Sequence, residues 1–95
     1  MLVEIQCLPT PAGTADDPHA HVEAAIRVIQ ASGLAYEVGA LGTTLEGEPD
    51  EVWPLLRRIH EACLAAGADR EITLVKVLES PARPLTMEGL TRKFR

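Results

Sequence analysis

The segment Gly42-Thr43-Thr44-Leu45-Glu46-Gly47-Glu48 gathers two hydroxyls and two carboxylates into one short strand and its exit, a set of groups suited to a polar or cationic ligand. A solvated hairpin with turn glycines has the same composition, because polar residues alternate along one face of many sheets. Other residues invite a chemical reading less strongly. His19 and His21 are two apart, and positions with that spacing point to different sides of a helix, so both are expected to be solvated surface histidines with no metal between them. His60 lies beside an apolar helical stripe, the setting of a partly buried, hydrogen-bonded imidazole more than of a general base. Cys7 and Cys63 are too distant in sequence for a CxxC and too few for a zinc framework, so they read as a pair of buried thiols. No Ser/His/Asp or Cys/His arrangement is apparent, so no catalytic residue is named. Gly39, Gly42 and Gly47 surround a hairpin instead of opening a helix, which argues against a phosphate-cradling loop.

These residues must be positioned by a small scaffold. With 95 residues and 46% hydrophobic content the chain is expected to be a single domain spanning 1–95, with enough apolar surface for one core. Nine Lys and Arg against fourteen Asp and Glu leave a net charge of −5, which repels nucleic-acid phosphates and anionic lipid. An RNA-binding sheet would also display aromatics, and only Tyr36, Trp53 and Phe94 are available. No apolar run approaches the roughly 20 residues of a spanning helix, and Met1 leads directly into Leu2-Val3-Glu4-Ile5 with no basic leader, so a cytoplasmic protein with neither nucleic-acid nor membrane partners is expected.

Hydrophobic spacing lays out the elements. Leu2 to Leu8 alternates with period two and reads as a strand ended by Pro9. Asp16-Asp17-Pro18 predicts a helix starting near Pro18, with Val22, Ala25, Ile26 and Ile29 as its apolar stripe and Ser32-Gly33 as its stop. Period two returns from Ala35 to Ala40, and Leu41-Gly42-Thr43 bends into a second short strand, Thr43 to Glu46. A second helix is predicted from Asp50 or Glu51 to Gly67, buried through Val52, Leu55, Leu56, Ile59, Cys63 and Leu64, with Pro54 falling in its first turn. Glu71 to Leu78 is a last strand, continuous and β-branched enough to lie inside the sheet. The order β-α-β-β-α-β specifies an α+β, ferredoxin-like sandwich with two helices on one face of a four-stranded antiparallel sheet. Residues 81–95 read as an irregular basic tail with at most one helical turn near Met87 to Leu90.

Ser32-Gly33-Leu34 with Tyr36, Gly42-Thr43, Leu45-Glu46-Gly47-Glu48 with Asp50-Glu51-Val52, His60-Glu61-Ala62, and Gly67 with Arg70 combine, in order and spacing, into a pattern that resembles the YkoF-like thiamine-binding protein family. Glu4-Ile5 and Pro9 fit the same pattern, so the likeness covers most of the chain. The resemblance implies a ferredoxin-like fold, assembly as a homo-oligomer (dimer or tetramer), and binding of thiamine or its hydroxymethylpyrimidine part, without catalysis and without a further cofactor. The run Ser80-Pro81-Ala82-Arg83-Pro84 departs from the family's Arg-rich end to the last strand, which puts any C-terminal contact across an oligomer interface in question.

The chemistry of such a ligand agrees with the residues present. Thiamine is a cation whose aminopyrimidine donates hydrogen bonds, so a carboxylate is its natural partner. Glu46 is the expected anchor, with Thr43, Thr44 and Ser32 satisfying the other polar atoms and Tyr36 offering its ring to the cation. Trp53 is the reserve aromatic. Because Thr43 and Leu45 share one strand face while Thr44 and Glu46 share the other, these ligand-binding candidates divide between two possible pockets. With no phosphate loop and no Asp/Asn cluster for Mg²⁺, free thiamine or its precursor is expected to bind better than the diphosphate. Two other readings stand beside this one: an assembly module whose exposed strands mediate interaction without a working pocket, and an enzyme using Glu46 or His60 as acid–base, for which no second partner is seen.

Overall fold

In the computed structural model, which describes residues 1–95, the period-two run at the start of the chain forms β1 (Leu2–Thr10). It is followed by α1 (Ala20–Ala31), β2 (Ala35–Val38), β3 (Thr43–Glu46), α2 (Pro49–Ala66) and β4 (Arg70–Leu78), and then by a short α3 (Met87–Thr91) and a 3-10 turn at Arg92–Phe94. The four strands lie in the order β2-β3-β1-β4, every neighbouring pair antiparallel. This is the α+β, ferredoxin-like arrangement expected from the order of elements.

Strand parity builds the core. Val3 pairs with Leu45 and Ile5 with Thr43, so these four side chains turn to the same side of the sheet, where α1 and α2 cover them. Ala25 and Ile29 of α1 and Val52, Leu55, Leu56, Ile59 and Cys63 of α2 complete the cluster, and Leu45, Val52, Ile59 and Cys63 have no solvent exposure.

Four expectations are corrected. His21 is not a solvated histidine: it is buried, its Nδ1 lies 2.7 Å from the carbonyl oxygen of Pro11, and its backbone N–H donates to Ala12. α1 begins at Ala20, so the residue after its first position faces inward, and the imidazole packs against the end of α2. A Cβ at Gly67 would stand 3.1 Å from the His21 Nε2, and the φ of +126° there already favours glycine. β2 stops at Val38 instead of Ala40, because the N–H of Gly39 closes the hairpin onto the carbonyl of Gly42 at 2.8 Å. α2 starts at Pro49, earlier than expected, which moves Pro54 into the second turn. There it removes a bond to the carbonyl of Asp50, on a stretch of the helix where both residues are exposed.

The fourth correction concerns β4, which is an edge strand and not an interior one. Its continuous apolar character leaves side chains exposed on both faces: Ile72, Leu74 and Leu78 on the side away from the helices, Val75 and Val77 on the helix side. Two helices are wide enough to cover β1 and β3, and the outer strands project beyond them. The same geometry leaves Tyr36 and Val38 of β2 partly exposed.

Candidate ligand cleft on the open sheet face

The register separates the five candidate ligand residues. Tyr36 pairs with Leu45, so Tyr36 shares the helix side with Leu45 and Thr43. Glu37 pairs with Thr44, and Glu46 is two residues further along β3, so Glu37, Thr44 and Glu46 occupy the open side. Glu4 of β1 pairs with Thr44 and joins them there.

α3 lies over this half of the open face, where no helix of the βαββαβ unit reaches. Two adjoining recesses form around it and share Glu37, Met87, Thr91 and Arg95. The larger, of about 480 Å³, is bounded by Leu2, Glu4, Thr44 and the hairpin Gly39–Gly42. The smaller, of about 390 Å³, has Glu46 on its wall, with Tyr36 at its rim on the edge strand. Both volumes suit a small organic ligand.

Charge is distributed unevenly over the cleft. Arg95 Nη2 donates to both carboxylate oxygens of Glu37, at 3.0 and 3.1 Å, and Lys76 sits 3.3 Å from Glu4. Both pairs are exposed and contribute little to stability. Glu46 takes part in none of the chain's salt bridges, so its carboxylate is free to pair with an incoming cation.

The remaining two candidates lie elsewhere. Thr43 is buried and borders a separate, mostly apolar cavity of about 190 Å³ beneath α1, together with Val22, Ile26, Val38 and Cys7. Ser32 closes α1: its hydroxyl donates to the carbonyl of Ile29 at 2.6 Å and accepts the N–H of Leu34 at 3.2 Å. It borders a recess with Asp50, Glu51 and Arg58, away from Thr43. Trp53 is half-exposed on α2 and lines none of these spaces. Sequence reasoning omitted Glu37, Glu4, Met87, Thr91 and Arg95. Strand period could have found Glu37 as the open-face neighbour of Thr44, whereas nothing in the tail's composition places α3 across the sheet.

A second polar cluster lies at the other end of the sheet. Cys7 and Cys63 are free thiols, and burial, with the Glu71 carboxylate adding to it, pushes Cys7 up to about 11 from an ordinary value of 9.0. Burial raises Cys63 as well, again with Glu71 contributing. The folded chain therefore holds these protons more tightly than the unfolded chain, and the stability this confers is complete below about pH 8.5 and lost as pH rises through about 11. Urea midpoints measured on reduced protein at pH 8 and pH 10.5 are expected to fall with pH, and to fall less in Cys7→Ser. Equal pH dependence in the two proteins would contradict this account.

A family profile described as thiamine-binding protein matches residues 3–95. A UPF0045 protein of Clostridium perfringens is 32% identical over 74 residues, covering 78% of this chain and 77% of its own length. A UPF0045 protein of Methanothermobacter thermautotrophicus is 36% identical over 69 residues, covering 70% of each chain. Among solved structures, a domain of unknown function from Bacillus cereus superposes with a TM-score of 0.84 at 37% identity, over 100% of this chain and 91% of that one. A candidate thiamine biosynthesis/salvage protein from Thermotoga maritima superposes with a TM-score of 0.83 at 26% identity, over 99% and 97%.

Proposed function

Because this chain belongs to the thiamine-binding protein family, we propose that it binds thiamine or its hydroxymethylpyrimidine part in the cleft under α3, as a non-enzymatic cytoplasmic carrier or sensor. The observation that carries this reading is Glu46, a carboxylate without an ionic partner on the wall of a ligand-sized recess. It accepts from the exocyclic amino group or a protonated ring nitrogen, while the Thr44 hydroxyl, two residues away on the same sheet face and lining the adjoining recess, completes the polar contacts. Glu4 and Glu37 on that face are balanced by Lys76 and Arg95, so the unpaired Glu46 is the charge that favours a cation over a diphosphate. Of the other candidate residues, Tyr36 contributes at the rim, and Thr43 and Ser32 belong to the alternative helix-side pockets.

Calorimetric titration with thiamine, hydroxymethylpyrimidine and thiamine diphosphate tests the proposal. The first two are expected to bind and the diphosphate to bind more weakly. A charge-assisted hydrogen bond contributes about 1.5–3 kcal/mol, so Glu46→Gln is expected to weaken binding roughly 10- to 100-fold. Unchanged affinity in Glu46→Gln, or preference for the diphosphate, would sink the assignment of this cleft.

The other half of the open face supports homo-oligomerisation. Leu8 of β1 and Ile72, Leu74 and Leu78 of β4 are all at least 43% exposed there and form an apolar patch beside an unpaired strand edge. An antiparallel edge strand can pair with its own copy about a two-fold axis, and a second copy is the occupant we propose. The same patch favours a second reading, an assembly module with no working pocket. Oligomers that give no heat with any of the three ligands would select it.

A further inference from the structure

We propose that Cys7, Cys63 and Glu71 form a binding site for a thiophilic divalent cation of the zinc class, clamped between α2 and the β1–β4 strand pair. One ligand atom from each of these residues lies within 4.8 Å of the other two, a spacing that a tetrahedral ion closes with small side-chain adjustments. The fold places them together by register. Cys7 pairs with Thr73 across β1 and β4, Glu71 is two residues before Thr73, and all three face α2, where His60 and Cys63 are one turn apart.

The carboxylate carries the argument. Glu71 Oε1 is fully shielded from solvent and accepts from no N–H or O–H group, leaving the thiols of Cys7 and Cys63 as the donors beside the carboxylate. An S–H is a weak donor, so a buried acceptor left to thiols alone is poorly satisfied, and a cation bound by the two sulfurs and this oxygen fills it better. The other oxygen, Oε2, accepts from the Thr73 hydroxyl at 3.0 Å, and the Thr73 oxygen in turn accepts from His60 Nδ1 at 2.6 Å. This chain fixes the carboxylate beside the two sulfurs, the kind of outer-shell support that orients metal ligands. His60 and Thr73 are positioning residues here.

The donor set identifies the class of ion. Two thiolates and one carboxylate oxygen suit zinc-class metals and exclude hard cations such as Mg²⁺ or Ca²⁺, which take oxygen ligands. Each thiol releases one proton as its sulfur bonds the metal. The fourth coordination position is left to water or a small ligand, and Cys7, half-buried at the margin of the 190 Å³ cavity, gives a route of entry. This site is independent of the ligand cleft on the opposite face.

Cobalt(II) titrated into the reduced, chelator-treated full chain tests the site. A single equivalent is expected to give a thiolate-to-metal charge-transfer band with the visible absorption of a tetrahedral ion, and zinc is expected to displace it. Cys7→Ser and Cys63→Ala are expected to abolish the band. Glu71→Gln, nearly isosteric, should weaken binding tenfold or more, and Thr73→Val should weaken it while keeping the spectrum. Circular dichroism separates loss of the site from loss of fold, and the half-buried Cys7 is the safer substitution if Cys63→Ala unfolds. A folded, reduced chain without the band, or a band that survives in Cys7→Ser, overturns the proposal. So does a pair that forms a disulfide on air oxidation while the reduced form binds no cobalt.

Discussion

Leu45→Ala is expected to lower the free energy of unfolding by about 2–5 kcal/mol, a large part of the 5–15 kcal/mol typical of a whole domain. Leu45 has no solvent exposure and sits on β3 between β1 and β2, beneath both helices, so no flexible neighbour can collapse into the space it leaves. The expected readout is a lower urea midpoint at an unchanged denaturant slope, because the same surface is still exposed on unfolding. Its effect on ligand binding should be small while the protein stays folded, since Thr44 and Glu46 face the other side. A loss below about 1 kcal/mol would mean that the core repacks around the site and that the sheet is less rigid than its register implies.

The second large effect is on assembly. Paired substitution of Ile72 and Leu74 by lysine puts two charges into the apolar half of the open face, where those side chains are 60% and 51% exposed in the single chain. In an interface formed by a second copy these charges would be desolvated without partners, a cost of several kcal/mol, and oligomer dissociation should rise at least 100-fold. Light scattering should read a multiple of the chain mass for the parent protein and a single chain for the variant. Because both positions are already exposed, the fold of the monomer should survive. A parent protein that is monomeric, or a variant with undiminished mass, would remove β4 as the contact surface.

Much of the scaffold was legible because its periods are clean. Val3, Ile5 and Cys7 alternate with Glu4 and Gln6, and the α2 stripe from Val52 to Cys63 recurs at helical spacing, so element types and order follow from local pattern. What escaped depends on contacts distant in sequence. An apolar, β-branched strand reads as interior, yet β4 is placed at the edge by topology, and much of its apolar surface lies outside the core. His21 looks like a surface residue until the loop at Pro11 and the turn at Gly67 close around it. The candidate cleft was half visible: Thr44 and Glu46 follow from strand parity, but their roof comes from a basic tail whose composition does not reveal the face it covers. The thiol cluster was least accessible, since Cys7, Cys63 and Glu71 come from three elements brought together only in the finished fold.

The placement of β1 also bears on how the chain is made. The first strand of the sheet in chain order occupies its middle, and its longest partnership, nine residue pairs from Leu2–Leu78 to Thr10–Arg70, is with the last strand of the sheet. Once α2 has emerged from the ribosome, Val3 and Ile5 can be roofed and β3 can pair, but the opposite edge of β1 stays open until residues 70–78 have emerged. Until then the nascent chain carries an unpaired hydrophobic strand edge, a state prone to pairing with neighbouring chains. Completion depends on contacts spanning up to 76 residues between Leu2 and Leu78, which makes closure of this strand pair the slow step of folding.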